Sequence, residues 1–437
     1  MPTVIDADAF SDRIDERRRG ERSFAVVDTR PRESYESWRI ADSVHYFYKP
    51  FHEFDVDDFE AETGLGPGDA IVTTCAKGKA SLDFAEELEA AGYDDVTVVE
   101  DGMRGWSGVY DRTAVPLPDA GDDPLEIVQI QRRAKGCLGY LVVGGRASEA
   151  EAAPDDSVRA AVPDSDAPDR VAIAVDASRH GEEWREAAAE RDASIAAVLD
   201  THVHADHLSG GRALADDLGV PYYLPAAAAE RDVAYAFEPL ARNETVDVGG
   251  VGVKALATPG HTDDGASYLV GRSAVLTGDT LFTDSVGRTE LQFAAGVGDA
   301  SGDAADGGNE TAGAATGAER LYDSLHGTLL AEPDGVVVCP GHFAVANDGT
   351  TGDVVPGEPV TTTVGAARRG LDVLGLDREA FVETITATLP EKPPNYERVI
   401  AANRGVDSPP DETAAIELEL GPNRCAADAG TEPAADD

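Results

Sequence analysis

The chain is 437 residues long and 42% of it is hydrophobic, which suits two or three separately packed domains. Its 36 basic against 83 acidic residues give a formal charge of −47, which repels nucleic acid and anionic membrane and makes both poor partners. No run approaches the roughly eighteen apolar residues of a membrane-spanning helix.

The acid is spread along the whole chain, with six lysines against thirty arginines. That pattern is expected of a protein adapted to high salt, where self-repulsion is screened within a few ångströms. The start, Met1-Pro2-Thr3-Val4-Ile5-Asp6, has neither the basic nor the apolar region of a signal peptide. The cysteines at 75, 137, 339 and 425 form no Cys-x-x-Cys pair, a reducing-compartment pattern that points to the cytoplasm.

Residues 1–118 are expected to fold as a small α/β unit. Ser23–Asp28, Ala70–Thr74 and Val96–Val99 predict strands; between Ser81 and Gly92, Phe84, Leu88 and Ala91 recur at helical spacing. Such alternation implies a parallel sheet flanked by helices. Between strand and helix lies Cys75-Ala76-Lys77-Gly78-Lys79-Ala80-Ser81, holding two of the six lysines. Backbone N–H groups at a helix start favour an anion and lower a thiol pKa. Cys75 is therefore a candidate sulfur nucleophile, and Lys77, Gly78 and Lys79 are candidate contacts for its substrate. A buried structural cysteine is the competing reading.

Residues 119–125 read as a linker, and 126–405 as a second domain. Ile127–Ile130 and Leu138–Val143 predict a strand pair. The stretches 146–169 and 295–317 lack periodicity and are expected to be surface insertions without chemistry. Four polar motifs each follow an apolar run: Thr201-His202-Val203-His204-Ala205-Asp206-His207, Thr258-Pro259-Gly260-His261, Gly278-Asp279-Thr280 and Pro340-Gly341-His342. Three of nine histidines fall in the first motif, where packing alone asks for no such density. Histidine is the commonest metal ligand, and in extended backbone His202 and His204 face the same way. Strand-then-loop units of this kind gather functional residues at one edge of a scaffold. Farther on, Asp377 caps an expected helix with Phe381, Val382, Ile385 and Leu389 on one face, and a shorter helix runs to Gly405. Residues 406–437 read as an acidic tail, largely without order. Cys339 is expected in the core, Cys137 also, against a thiol that faces the metal site, and Cys425 is expected to have no role.

Residues 24–106 resemble a single-domain rhodanese, a sulfurtransferase. The resemblance rests on Val26-Val27-Asp28-Thr29-Arg30, Glu33-x-Tyr35, Arg39-Ile40-x-x-Ser43-Val44, the Cys75 loop, and Gly92-Tyr93-x-x-Val96 through Gly102-x-x-x-Trp106. It implies that Cys75 carries the sulfane sulfur. Ala80 stands where the family loop has arginine, and Lys77 and Lys79 are the available substitutes.

The four motifs of residues 126–345 resemble the metallo-β-lactamase superfamily. The implied fold is an αββα sandwich followed by short C-terminal helices, with the metal at one edge between two sheets. The filled positions, His202, His204, Asp206, His207, His261, Asp279 and His342, permit two chemistries. Two zinc ions bridged by Asp279 would make a thioester hydrolase of glyoxalase II type. One iron on two histidines and a carboxylate would keep positions open for substrate and O₂.

Gly287-Arg288-Thr289-Glu290 resembles the persulfide dioxygenase branch, as does the stretch from Pro393-Pro394-Asn395-Tyr396 to Ala402-Asn403. That resemblance implies one Fe(II) per chain on His202, His261 and Asp279, with His204, Asp206, His207 and His342 around it. The implied activity is oxidation of a low-molecular-weight thiol persulfide by O₂ to sulfite, coupled through the rhodanese domain to sulfane-sulfur transfer involving thiosulfate. A zinc thioester hydrolase and a non-catalytic sulfur carrier or sensor are the alternatives. Arg288 is a candidate anchor for the thiol's carboxylate, against a structural ion pair. Homo-oligomerisation is left open.

Overall fold

The computed structural model describes residues 1–50, 53–118, 125–146, 158–159, 170–291, 307–387 and 391–427. Short β-branched runs alternate with helices to build the first sheet: β1 (Thr3–Ile5), α1 (Ala7–Arg18), β2 (Ala25–Asp28), α2 (Arg32–Ser37), β3 (Ser43–His45), α3 (Val56–Thr63), β4 (Ile71–Thr74), α4 (Lys79–Ala90), β5 (Val96–Val99) and α5 (Gly102–Trp106). The strands run parallel in the order β1-β5-β4-β2-β3. A parallel sheet needs cover on both faces. One face packs Phe59, Phe84 and Leu88, the other Phe10, Met103 and Trp106.

The expected boundary at residue 118 falls too late. β6 (Tyr110–Ala114) pairs antiparallel with β7 (Glu126–Arg132) and so forms the edge of the second domain's sheet. The intervening residues 119–124 lie outside the described residues.

The second domain continues with β8 (Cys137–Arg146), β9 (Val158–Arg159), β10 (Arg170–Val175), α6 (Glu182–Ala189), β11 (Ala193–Leu199), α7 (Gly211–Leu218), β12 (Tyr222–Pro225) and β13 (Glu238–Leu240). After these come β14 (Thr245–Val248), β15 (Val251–Ala257), β16 (Ala266–Val270), β17 (Ala274–Gly278), α8 (Gly307–Gly327), β18 (Val337–Pro340) and β19 (Thr362–Thr363). The closing helices are α9 (Val364–Gly370), α10 (Arg378–Ala387), α11 (Tyr396–Asn403) and α12 (Glu412–Leu418).

Among the described residues these strands form two seven-stranded sheets, ordered β13-β12-β11-β10-β8-β7-β6 and β19-β18-β17-β16-β15-β14-β9. The strand period of two sorts their side chains. Leu138, Tyr140 and Val142 of β8 meet Val253, Ala255 and Tyr268 between the sheets, while Leu141 and Val143 face α6 and α7. The outer face of the other sheet is covered by α8, α9 and α10. This is the expected αββα sandwich.

Three expectations are corrected. Most of the insertion at 146–169 lies outside the described residues, but Val158 and Arg159 form a strand beside β14. The insertion at 295–317 does not extend as irregular chain to its end, because α8 begins at Gly307. Ala314, Ala318, Leu321 and Leu325 form one buried stripe of α8. Each buried leucine contributes about 1.5–3 kcal/mol, which offsets the roughly 1 kcal/mol cost of each glycine in the helix. The acidic tail is ordered to Ala427, where α12 buries Ala415 and Leu418 against Leu208 and Val399.

Candidate sulfur loop and metal centre

The Cys75 loop turns directly from β4 into α4. Gly78 makes the turn at φ +77°, and a Cβ there would stand 2.8 Å from the Asp101 nitrogen, so glycine is required. From α5, Met103 N donates to the Cys75 carbonyl (2.8 Å) and Arg104 N to that of Ala76 (3.3 Å). The thiol is buried, with Ser81 Oγ 3.4 Å from Sγ. Lys77 and Lys79 are both exposed at the rim, and Lys77 Nζ lies 3.9 Å from Glu417, which also pairs with Arg104. Beneath the loop, Arg30 pairs with buried Asp28 (2.6 Å) and donates to the Trp38 carbonyl.

The second centre is assembled from loops that leave β11, β15, β17 and β18. All seven expected ligands are buried within it. Nitrogens of His202 and His261 and a carboxylate oxygen of Asp279 lie within 4.8 Å of one another. His261 Nε2 is 3.3 Å and His202 Nε2 3.8 Å from Asp279 Oδ2. Among the described residues neither imidazole Nε2 has a hydrogen-bond partner, nor has either oxygen of Asp279. Buried polar atoms left in that state are costly unless a cation completes them, so these residues fit a bound metal ion.

The opposite ring nitrogens are engaged. His261 Nδ1 lies 2.7 Å from the Arg288 carbonyl, to which it can only donate. His202 Nδ1 lies 2.9 Å from Thr201 Oγ1, and that hydroxyl donates to Asp176 (3.0 Å). Both arrangements place the proton on Nδ1 and direct the Nε2 lone pair toward Asp279. Burial, aided by His204, pushes His202 well below its ordinary pKa. Burial alone would raise Asp279, but His342, His261 and His202 hold it below the usual carboxylate range. A neutral imidazole and an ionised carboxylate are the forms that bind metal.

The remaining ligand candidates divide. His204 Nε2 lies 3.3 Å from Asp176 Oδ1, in a separate buried group with Asp200. His207 Nδ1 lies 3.0 Å from Asp206 Oδ1, and His342 Nε2 lies 3.6 Å from Asp206 Oδ2 and 3.1 Å from Asp279 Oδ1.

The structure gives Arg288 the ion pair that was the alternative to a substrate anchor. Its guanidinium is buried, pairs with Glu290 and donates to the carbonyls of Glu391 and Arg424. What this motif gives the site is backbone: the Arg288 carbonyl that orients His261, and Gly287, where a Cβ would meet the Asp279 oxygen at 1.9 Å.

Two cysteines lie beside the centre. Cys137 is more than a core hydrophobe, since Sγ lies 3.1 Å from Asp206 Oδ2. Cys425 is fully buried beside Asp206 and His342. Cys339 lies in the core as expected.

Sequence reasoning missed three supporting residues. Asp176 follows an apolar strand just as the motifs do, and that pattern was available as a signal. Asp264 accepts from Val203 N (2.8 Å) and pairs with Arg231. Glu419 accepts from Leu208 N (2.8 Å) and carries no local signature. Asn403, within a stretch already singled out, donates to the carbonyls of His204 and His207.

Comparison with known proteins agrees with this anatomy. Residues 6–108 match the rhodanese-like domain, and residues 169–342 match the metallo-beta-lactamase superfamily. The chain joins a rhodanese-like domain to a metallo-beta-lactamase superfamily domain. A hydroxyacylglutathione hydrolase of Acidiphilium cryptum is 42% identical over 108 residues, which span 23% of this chain and 42% of that protein. This chain therefore covers well under half of that relative. A metallo-beta-lactamase from Staphylococcus aureus superposes with a TM-score of 0.50 at 18% identity, over 65% of this chain and 73% of that one, a likeness of fold. ETHE1 from Myxococcus xanthus matches at 26% identity and a TM-score of 0.45, over 64% of this chain and 98% of its own. Among the described residues no helix is long and apolar enough to cross a membrane.

Proposed function

We propose that the second domain is a persulfide dioxygenase that holds one ferrous ion through His202, His261 and Asp279, and that Cys75 transfers sulfane sulfur to or from the same pool of persulfides. The observation that carries this reading is the split within the histidine cluster. Two imidazole Nε2 atoms and one carboxylate converge, while His204, which a four-ligand zinc site would require, lies against Asp176. Two histidines and a carboxylate with open positions suit ferrous iron, which supplies activation of O₂ when bound.

The overall reaction is R–S–SH + O₂ + H₂O → R–SH + H₂SO₃. The chain's own part is to fix the two imidazoles through the Arg288 carbonyl and through Thr201 on Asp176, and to keep the centre inside a buried shell. A rhodanese-type thiol gives the sulfur product or the persulfide substrate a second outlet: Cys75–S–SH would pass its outer sulfur to sulfite, forming thiosulfate and returning the thiol. The substrates assigned are a low-molecular-weight thiol persulfide and O₂, with sulfite and thiosulfate as the exchange partners.

The test is metal analysis of anaerobically purified protein together with O₂ uptake on a supplied glutathione persulfide. About one iron per chain and sulfite release are expected for a two-histidine, one-carboxylate site. His204→Ala should keep that iron. The 42% identity to a hydroxyacylglutathione hydrolase favours thioester hydrolysis as the second reading. Zinc in place of iron, no O₂ uptake and turnover of a hydroxyacyl thioester would establish it and refute the first.

A further inference from the structure

We propose that the cleft between the two domains binds an organic anion that joins an apolar body to a carboxylate, and that Arg17 receives the carboxylate. The cleft holds no residue assigned above to sulfur or metal chemistry, and its lining has neither histidine nor cysteine.

The cleft encloses about 680 Å³, within the range of roughly 300–1,000 Å³ that takes a small organic molecule. One wall comes from the first domain, through Phe24, Trp38, Ile40 and Trp106; the other is the loop between β18 and β19, through Val345 and Val355. Both walls are fixed. Arg39 N donates to the Asn347 carbonyl (3.0 Å). A Cβ on Gly349, which sits at φ +82°, would stand 2.4 Å from the Arg39 carbonyl, so the loop closes tightly on residues 39–41. Arg133 pairs with Asp15 of α1 (2.8 Å) and with Asp111 of β6 (2.7 Å). The cleft thus stays open beside contacts that hold the domains together, which distinguishes it from a gap left by loose packing.

Charge identifies the ligand. The lining carries Arg17, Arg18, Arg39 and Arg133 against Asp15 and Asp42, the reverse of a chain with 36 basic and 83 acidic residues. The arginines that the structure buries, Arg30, Arg132, Arg133 and Arg288, each face a carboxylate. Arg17 and Arg39 are half-buried, yet neither forms an ion pair among the described residues. Arg39 lies over the Tyr35 ring. Arg17 lies over the Phe24 ring at 4.9 Å and donates from Nη2 to the Ala41 carbonyl (3.2 Å), which leaves Nε and Nη1 without a protein partner among the described residues. Burial pushes its pKa down, and Asp42 offsets this only in part. A guanidinium beside aromatic rings with donors to spare suits a carboxylate, and the apolar walls suit the body attached to it.

The probe is anilinonaphthalene sulfonate, an aromatic anion, added to the native full-length chain and followed by its fluorescence. Saturable binding of a single dye is expected. Decanoate should displace it, and decanol, with the same chain and no charge, should displace it far less. Arg17→Met should weaken dye and decanoate binding roughly tenfold, the loss of a charged hydrogen bond. Arg272→Met, at an exposed arginine of the β16–β17 turn, should leave both unchanged. Hydrogen exchange of the wild-type chain gives a reading free of variants: decanoate should protect residues 38–42 and 345–356 together. No saturable binding, equal displacement by decanol, equal binding in R17M and wild type, or protection only elsewhere in the chain would overturn the site. Displacement by decyl phosphate and not by decanoate would overturn the choice of a carboxylate. None of these readings involves metal content, O₂ uptake or Cys75, so failure here is distinguishable from failure of the dioxygenase reading.

Discussion

Glu419→Ala removes a carboxylate that ties the tail to the ligand heptad. Glu419 is buried, with Arg132 Nη1 at 3.0 Å, Arg179 Nε at 2.5 Å and Leu208 N at 2.8 Å. Burial would raise its pKa, but Arg132 and Arg179 bring it down to about 2 from an ordinary 4.5. At about 1.4 kcal/mol per unit, that depression is on the order of 3 kcal/mol of stability. Because the folded-state pKa is the lower one, the contribution is fully present above about pH 4.5 and is lost as the pH falls through about 2. Breaking a buried ion pair from one side costs about 3–5 kcal/mol, a figure of the same size. Urea unfolding followed by near-ultraviolet circular dichroism should therefore show a loss of about 3–5 kcal/mol at pH 7. The gap between wild type and variant should narrow as both are taken from pH 5 toward pH 2. A loss below about 1 kcal/mol, the level of a surface pair, or a gap that does not change with pH, would refute the reasoning.

Gly287→Ala drives a Cβ into the Asp279 carbonyl, and overpacking of about 1–3 kcal/mol at a ligand should lower metal affinity roughly tenfold or more in chelator competition. Arg288→Met leaves Glu290 buried and unpaired, so thermal unfolding should register a loss of about 3–5 kcal/mol; a substrate anchor would instead raise KM with stability intact. Cys75→Ser should abolish thiosulfate-dependent sulfur transfer and leave O₂ uptake on a supplied persulfide unchanged, because the two centres stand on different sheets. Loss of O₂ uptake in that variant would show that the centres act in series on every turnover.

Much of this arrangement is legible in the sequence because its signals are local. Apolar runs of four to seven residues become β4, β11, β15 and β17, and the polar turn after each one is where chemistry sits. His202, His261 and Asp279 are found that way, and so is Cys75. What escapes is long-range. Glu419, more than two hundred residues after Leu208, lies in an acidic stretch whose composition argues for disorder until Arg132 and Arg179 are seen to neutralise it. Cys425 meets His342 only because the tail pairs with the Gly287 segment. Arg288 shows a subtler limit: residue type suggests a side-chain role, whereas the fold uses its carbonyl and gives the guanidinium to Glu290 two residues on. β6 is too short and too polar to reveal that it belongs to the second sheet.

The tail also decides how the two domains relate. Within nine residues it touches both centres, through Glu417 at the Cys75 loop, Glu419 at Leu208 beside His207, and Cys425 beside Asp206. These contacts are unequal in strength. The Lys77–Glu417 pair is long and exposed on both sides, 59% and 53%, and such pairs contribute at most about 1 kcal/mol. An anion arriving at the Cys75 loop can therefore take Lys77 from Glu417 at little cost. The Glu419 contacts are buried and bound to two arginines, so they are not exchanged for solvent or ligand on that scale. On the proposed function, the same strap yields where sulfur would enter and is fixed where the 201–207 motif holds its shape, a division that would let the thiol loop adapt to a substrate without loosening the metal centre.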